Sequence, residues 1–125
     1  MSTAFNTVTW FQVGSTDPEQ AKSFYGNLFG WSFAADPTED GNYDVITYAG
    51  GEAPVGGIAR TADAADNHAV FYVQVADVAA TVAEAERLGA KISVPVTPNP
   101  KTGLVLAHLL DTSGNRFAVF SVPEA

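Results

Sequence analysis

The chain carries the same pattern twice, about sixty residues apart: a strand-like run, an Asp, an apolar helical pattern and a Leu followed by a second strand-like run. Asp17 and Asp77 stand sixty positions apart, and Leu28 and Leu88 are separated by the same interval. Few letters match between the two copies, so the similarity lies in the pattern. An internal repeat of this kind predicts two half-domains that share a sheet or a cavity, and it directs the search for function to the residues between them.

Each copy reads as a strand, a helix and three further strands, which we call a βαβββ module. The first module spans about residues 5–60, a small, polar and acidic linker covers about 61–67, and the second module spans about 68–122. A chain of 125 residues is long enough to bury a core without disulfides, so we expect residues 1–125 to form one domain.

Residues at the helix ends predict where each helix begins and stops. Asp17 and Asp77 are expected N-caps, Pro18 suits the first helical position, and Gly30 and Gly89 are expected stops. The apolar stripes that should face a sheet are Ala21, Phe24, Tyr25 and Leu28 in the first helix, and Val78, Val82, Ala85 and Leu88 in the second. The run 95–100 contains three prolines and lacks several amide donors, so we expect a loop there.

Composition excludes several classes of function. The chain has no cysteine, so disulfides, thiolate metal sites and a Cys nucleophile are ruled out. Its net charge of −8 repels nucleic acid and anionic membranes, and no basic cluster offsets it, so neither is expected as a partner. The first residues show no basic region followed by an apolar stretch, which predicts no signal peptide and a cytoplasmic location.

The order of these signatures resembles the vicinal oxygen chelate superfamily, which includes glyoxalase I, bleomycin-resistance proteins and extradiol dioxygenases. The matching segments are Asp17-Pro18, Phe24-Tyr25, Leu28-Phe29-Gly30-Trp31, Val55-Gly56-Gly57-Ile58, Asp77-Val78, Leu88-Gly89 and Asp111 with Gly114-Asn115. The resemblance implies an α+β fold in which the tandem βαβββ modules curl into a cup-shaped mixed sheet, with the helices packed outside. It also implies homodimerisation.

Catalytic members of that family hold a divalent metal on the cup floor with His, Gln and Glu side chains. By the same resemblance, the corresponding positions here are Trp10 and Val70, each seven residues before a helix-capping Asp, and Ala118 on the last strand. Gly57, Ile58 and Ala59 on the fourth strand offer no carboxylate or imidazole. Because these side chains cannot coordinate a cation, we expect no metal site and no cofactor.

The residues that would line the cup follow from strand alternation, since positions two apart share a face. The candidate ligand-binding residues are Trp10, Gln12, His68, Val70, Tyr72, Gln74, Leu106, His108, Ala118 and Phe120. This apolar and aromatic set with a few polar groups suits a small hydrophobic or aromatic molecule. Each candidate also has a structural interpretation: Trp10 and Tyr72 as packing residues, His108 as a neutral core histidine, and His68 as a solvated strand end.

Three hypotheses for function follow. The leading one is a metal-independent small-molecule binding protein, for which sequestration of the ligand, as in resistance proteins of the family, is one role. The alternative is an enzyme, a lyase, isomerase or hydroxylase-like member for which His108 and Tyr72 are weak catalytic candidates. The third is a structural or interaction module whose cup has collapsed around Trp10. The sequence leaves open the ligand, the pathway and whether any reaction is catalysed.

Overall fold

The computed structural model describes residues 5–39 and 41–123. Residues 1–4, part of the segment read for a signal peptide, lie outside this range, as does Asp40. The elements in chain order are β1 Thr7–Ser15, α1 Pro18–Phe29, β2 Ser32–Ala35, β3 Tyr43–Thr47, β4 Gly56–Arg60, β5 His68–Gln74, α2 Val78–Arg87, β6 Lys91–Pro98, β7 Val105–Leu110 and β8 Arg116–Ser121. A short 3-10 helix, Ala64–Asp66, falls in the predicted linker.

The chain forms two compact units. The first unit is residues 10–69, and the second unit is the part from Val70 onward together with the residues up to Thr9. These bounds lie close to the predicted division between modules. That the two form one domain stays a prediction.

The first unit contains strands in the order β2, β3, β4, β1, with β1 and β4 parallel and the other pairs antiparallel. Helix α1 begins as predicted, because Asp17 Oδ1 accepts a hydrogen bond from the Gln20 amide at 3.1 Å and Pro18 occupies the first turn. Gly30 ends the helix in the left-handed conformation, at φ 73°. Ile46 and Ile58 are fully buried in this unit.

The second unit contains strands in the order β5, β8, β7, β6, with β5 and β8 parallel and the others antiparallel. Asp77 caps α2 by accepting from the Ala80 amide at 3.0 Å. Helix α2 packs one face against the sheet, and the buried core between them is Val75, Val78, Val82, Ala107, Leu109 and Val119. Since side chains alternate along each strand, the neighbouring residues of β5, β7 and β8 lie on the opposite face, which we call the helix-free face.

The predicted burial of both helix stripes is partly wrong. Phe24 and Leu28 are each 58% exposed, and in α1 only Ala21 and Tyr25 of the stripe are partly buried. Trp31, which follows the end of the helix, packs against α1: its ring stacks on that of Tyr25, with 5.5 Å between the ring centroids. Leu88 in the second unit is 62% exposed, since it is the C-cap residue beyond the last turn of α2.

The prediction of a loop at 95–100 is also wrong for residues 95–98, which form part of a strand. Strand β6 continues through Pro95 to Pro98 and pairs with β7, with register shifts on either side of Val94. A strand tolerates proline at a sheet edge or a bulge, where the missing N–H costs no ladder hydrogen bond. Strand β6 is the last strand in the order, so both conditions are met.

The predicted fold class, α+β with two βαβββ modules and helices packed against a mixed sheet, is confirmed by this element order and pairing. Within the described residues, neither helix has the length and apolar character needed to cross a bilayer.

Candidate functional site

The helix-free face of the second unit brings most of the predicted ligand-binding residues of that unit together in two rows. Tyr72 on β5 and His108 on β7 both stand opposite Ala118 on β8, which places the three side chains next to one another. The second row is Gln74, Phe120 and Leu106. Val70 belongs to the same face, two residues before Tyr72 on β5. Strand alternation therefore grouped these residues correctly.

A buried polar pair lies in the middle of this face. Tyr72 and His108 are each 5% exposed, and the Tyr72 hydroxyl lies 3.0 Å from His108 Nε2. The two rings meet edge to face with 5.5 Å between their centroids. The Phe120 ring makes a second edge contact with Tyr72, with 6.0 Å between centroids. Burial of two polar groups among apolar side chains strengthens their mutual hydrogen bond and fixes their orientation.

The tautomer of His108 follows from its second partner. Arg116 Nε donates to His108 Nδ1 at 3.2 Å, and a guanidinium has no acceptor atoms. Nδ1 is therefore unprotonated, and the neutral ring carries its proton on Nε2, which donates to the Tyr72 hydroxyl. Both imidazole nitrogens of His108 are thus held by protein groups.

Gln74, the polar member of the second row, is tied to the start of the chain. Its side-chain oxygen accepts a hydrogen bond from the Thr9 hydroxyl at 3.2 Å, and its backbone carbonyl accepts one from the Asn6 amide at 2.7 Å. These bonds hold residues 6–9, which belong to the second unit, against the end of β5. Gln74 therefore has a structural role whatever it contributes to a ligand.

In the first unit, Trp10 pairs with a residue that sequence reasoning missed. Trp10 Nε1 donates to the Tyr43 hydroxyl at 3.0 Å. The Tyr43 ring lies directly over Gly57, so that a Cβ atom at position 57 would overlap the phenol. The indole N–H is satisfied, as a partly buried Trp requires. The sequence predicts that Tyr43 lies on a strand, but it contains no signal that this residue contacts Trp10.

Burial raises the pKa of Tyr43 to about 12, although the Trp10 hydrogen bond opposes this rise. Asp36 and Glu39 add to it through their negative charge.

Alkaline pH is therefore expected to destabilise the protein through Tyr43. The folded pKa lies above the ordinary value of 10.0, so this contribution is intact below pH 10 and is lost as pH rises from 10 towards 12. Each pKa unit is worth about 1.4 kcal/mol and the ring is partly exposed, so we expect a loss of about 1–2 kcal/mol. Urea unfolding at pH 9 and at pH 11.5 gives the free energy of unfolding at each pH, and the difference between them measures this loss. Tyr43→Phe should lose less stability over the same interval, and an equal loss in both proteins would contradict the assignment.

Besides the Trp10–Tyr43 pair, the first unit contains a polar pair formed by His68 and Gln12. Gln12 Nε2 lies 2.9 Å from His68 Nε2. His68 Nδ1 lies 2.9 Å from the Asp66 carbonyl, which can only accept, so Nδ1 carries the proton and Nε2 accepts from Gln12. The imidazole packs where a Cβ of Gly14 would be, so it is held in place. His68 is the first residue of β5 and is partly exposed, and both of its ring nitrogens are hydrogen-bonded within the protein.

The residues at the family's metal positions do not fit a metal ion. Trp10 offers an N–H that is already donated to Tyr43, and Val70 and Ala118 are buried apolar side chains. Across residues 5–39 and 41–123, no three His, Asp or Glu side chains converge in a way that could hold a cation. Hard and borderline cations need oxygen or imidazole ligands, which these positions do not supply.

Arg116 is the other residue that sequence reasoning missed. It lies on the helix-free face two residues before Ala118, so the same alternation that selected Ala118 also selects it. Its side-chain contact with His108 depends on the β7–β8 register, in which His108 faces Ala118.

Comparison with known proteins agrees with this architecture. The model of the Glyoxalase/Bleomycin resistance protein/Dioxygenase superfamily matches residues 7–119. No match was found among curated proteins.

Similar folds occur in several solved structures. Methylmalonyl-CoA epimerase from Mycobacterium tuberculosis superposes with a TM-score of 0.66 at 10% identity, covering 99% of this chain and 94% of that one. A Streptomyces coelicolor methylmalonyl-CoA epimerase variant in complex with 2-nitronate-propionyl-CoA gives 0.64 at 13% identity, covering 97% and 100%. The Mn(II)-bound glyoxalase from Novosphingobium aromaticivorans gives 0.63 at 21% identity, covering 94% of this chain and 39% of that one. Identities this low show a shared fold only.

The family model covers both modules, and the strand and helix order found in the structure is the one that this family implies. The chain belongs to the Glyoxalase/Bleomycin resistance protein/Dioxygenase superfamily.

Proposed function

We propose that this protein binds a small hydrophobic or aromatic molecule on the helix-free face of its second unit, without the metal used by catalytic members of the family. The observation that carries the proposal is the buried Tyr72–His108 pair, set among apolar residues on one face of three adjacent strands. A few fixed polar groups within an apolar lining are typical of small-molecule sites. Sequestration of the ligand, as in resistance proteins of the family, is one use of such a site.

The orientation of His108 supports binding over acid–base catalysis. Its Nδ1 accepts from Arg116 and its Nε2 proton is donated to Tyr72, so neither nitrogen is directed at a ligand proton. A general base needs a nitrogen within hydrogen-bond reach of the proton it removes. His108 therefore serves better as a structural support for Tyr72 and Arg116.

The enzyme hypothesis remains the alternative. The similar structures are named as epimerases and a glyoxalase, which describes those proteins and makes lyase or isomerase chemistry the natural class to test here. His108 and Tyr72 are the candidates for it. Because the metal positions carry Trp10, Val70 and Ala118, such a reaction would have to proceed without a metal ion at those positions.

The third hypothesis, a collapsed cup, is favoured for the first unit by one contact. The Trp10–Tyr43 pair over Gly57 fills the space beside the position where a relative would place a metal ligand. In that unit Trp10 acts as a packing residue. The ligand-binding proposal accordingly depends on the second unit.

Phe120→Leu is expected to weaken the binding of aromatic probes about tenfold, because it removes the ring that packs against Tyr72 on the proposed site. Affinities are measured by ligand-observed NMR with a panel of neutral aromatic compounds and chelator-treated protein. Phe71→Leu is the matched control: Phe71 stacks on Phe117 at 5.9 Å, on the α2 face of the same strands. Equal losses in the two variants, or binding that appears only after a divalent metal is added, would contradict the proposal.

The remaining expectations about partners and location stay predictions. Homodimerisation is proposed from the family, and the exposed Phe24, Leu28 and Phe29 of α1 are apolar side chains that a second copy would cover. Sedimentation equilibrium decides between dimer and monomer. A cytoplasmic location and the absence of nucleic-acid or membrane partners rest on the sequence arguments alone.

A further inference from the structure

Arg116 occupies one end of the proposed site. It is the first residue of β8, it is half-buried, and it shares the helix-free face with Ala118 and Phe120. Its Nε donates to His108 Nδ1, and His108 is itself held by the buried Tyr72 hydroxyl. A chain of two hydrogen bonds thus fixes the orientation of the guanidinium plane.

The charge environment of Arg116 differs from that of the other buried or paired cations. Lys22, also half-buried, lies 2.8 Å from Glu19 and 3.4 Å from Asp44, and Arg87 pairs with Glu84. No carboxylate of the described residues lies within ion-pair distance of Arg116. The chain has 14 acidic residues and only six basic ones, so carboxylates are available to most cations. A half-buried charge that no carboxylate of the described residues neutralises loses part of its hydration without gaining an ion pair.

The geometry of the guanidinium suits a carboxylate. Its Nε–H is used by His108, and the two Nη groups at the outer end carry the other donors. This end of the fork matches the two oxygens of a carboxylate, and such bidentate pairs are among the strongest hydrogen bonds in proteins. Arginine is also better suited than lysine to a partly buried ion pair, because it is less strongly hydrated.

We propose that Arg116 binds the carboxylate of the small molecule, so that the ligand is an aromatic or hydrophobic acid. This inference rests on the proposed function and names its ligand class. The neutral His108 is a positioning residue, which holds the guanidinium without competing for the anion.

The test uses pairs of probes that differ only in charge. Benzoate, naphthoate and biphenylcarboxylate are each compared with the corresponding primary amide, and dissociation constants are measured by ligand-observed NMR on the full chain. Wild type is expected to prefer each acid about tenfold or more over its amide. Arg116→Gln should remove that preference, Arg116→Lys should keep part of it, and Arg87→Gln, a surface arginine paired with Glu84, should leave it unchanged.

The amides serve as the internal control for folding, because they use the apolar part of the site without the charge. Arg116→Gln should therefore bind the amides as tightly as wild type while losing the acids. If wild type binds amides and acids equally well, or if Arg116→Gln keeps the preference, the carboxylate assignment is overturned and the proposed function stands. If no probe binds wild type, both are overturned.

Discussion

Gly57→Ala is expected to lower the free energy of unfolding by about 2–3 kcal/mol, because the added methyl group would overlap the Tyr43 phenol. The obstacle is a ring on a partly buried strand, hydrogen-bonded to Trp10 at 3.0 Å, so it has little freedom to move aside. Urea denaturation followed by Trp fluorescence measures the change. Gly57 has ordinary backbone angles, so the cost comes from the contact and not from the conformation of the glycine.

A double-mutant cycle separates this contact from other effects. In a Tyr43→Ala background, Gly57→Ala should cost less than half as much, since the ring is gone. Tyr43→Phe should give no relief, because the ring carbons, as well as the hydroxyl, occupy the space of the Cβ atom. An equal cost of Gly57→Ala in all three backgrounds would show that Tyr43 does not fill the space above Gly57.

His108→Ala is expected to cost about 3 kcal/mol, because it removes a buried hydrogen-bond partner of Tyr72 and leaves a cavity. It also releases the Arg116 guanidinium from its anchor. Chemical denaturation measures the loss, and the affinity for aromatic probes should fall with it.

His68→Ala is the matched control for this prediction. His68 is likewise hydrogen-bonded at both ring nitrogens, but it is only half-buried, so we expect a cost of about 1 kcal/mol. Tyr72→Phe should lie between the two, because it deletes one hydroxyl without opening a large cavity. Similar costs for His108→Ala and His68→Ala would mean that the Tyr72–His108 pair is not the buried centre of its unit.

Much of the fold could be predicted because its signals are local. The caps at Asp17 and Asp77 and the left-handed Gly30 act within a few residues, and the structure confirms each of them. Burial is not a local property, which is why Phe24 and Leu28 were assigned wrongly. Their spacing indicates one face of a helix but does not say whether another part of the protein covers that face.

For the candidate site, the sequence predicted which residues share a face but not which side chains contact one another. Strand alternation placed Tyr72, His108 and Ala118 on one face, since it depends only on parity along each strand. The partners of these residues depend on the register between strands distant in sequence. The contacts of Arg116 with His108 and of Tyr43 with Trp10 could therefore be found only in the structure.

The most direct test of the account follows the His108 imidazole by long-range 1H–15N NMR in chelator-treated protein, while aromatic acids and amides are added. The central claim is that the helix-free face of the second unit binds a small molecule without a metal. The account predicts a neutral ring protonated on Nε2, as the Arg116 contact requires, and changes in its resonances as a probe saturates the protein. Imidazole resonances unchanged by every probe, or changed only once a divalent cation is added, would contradict it.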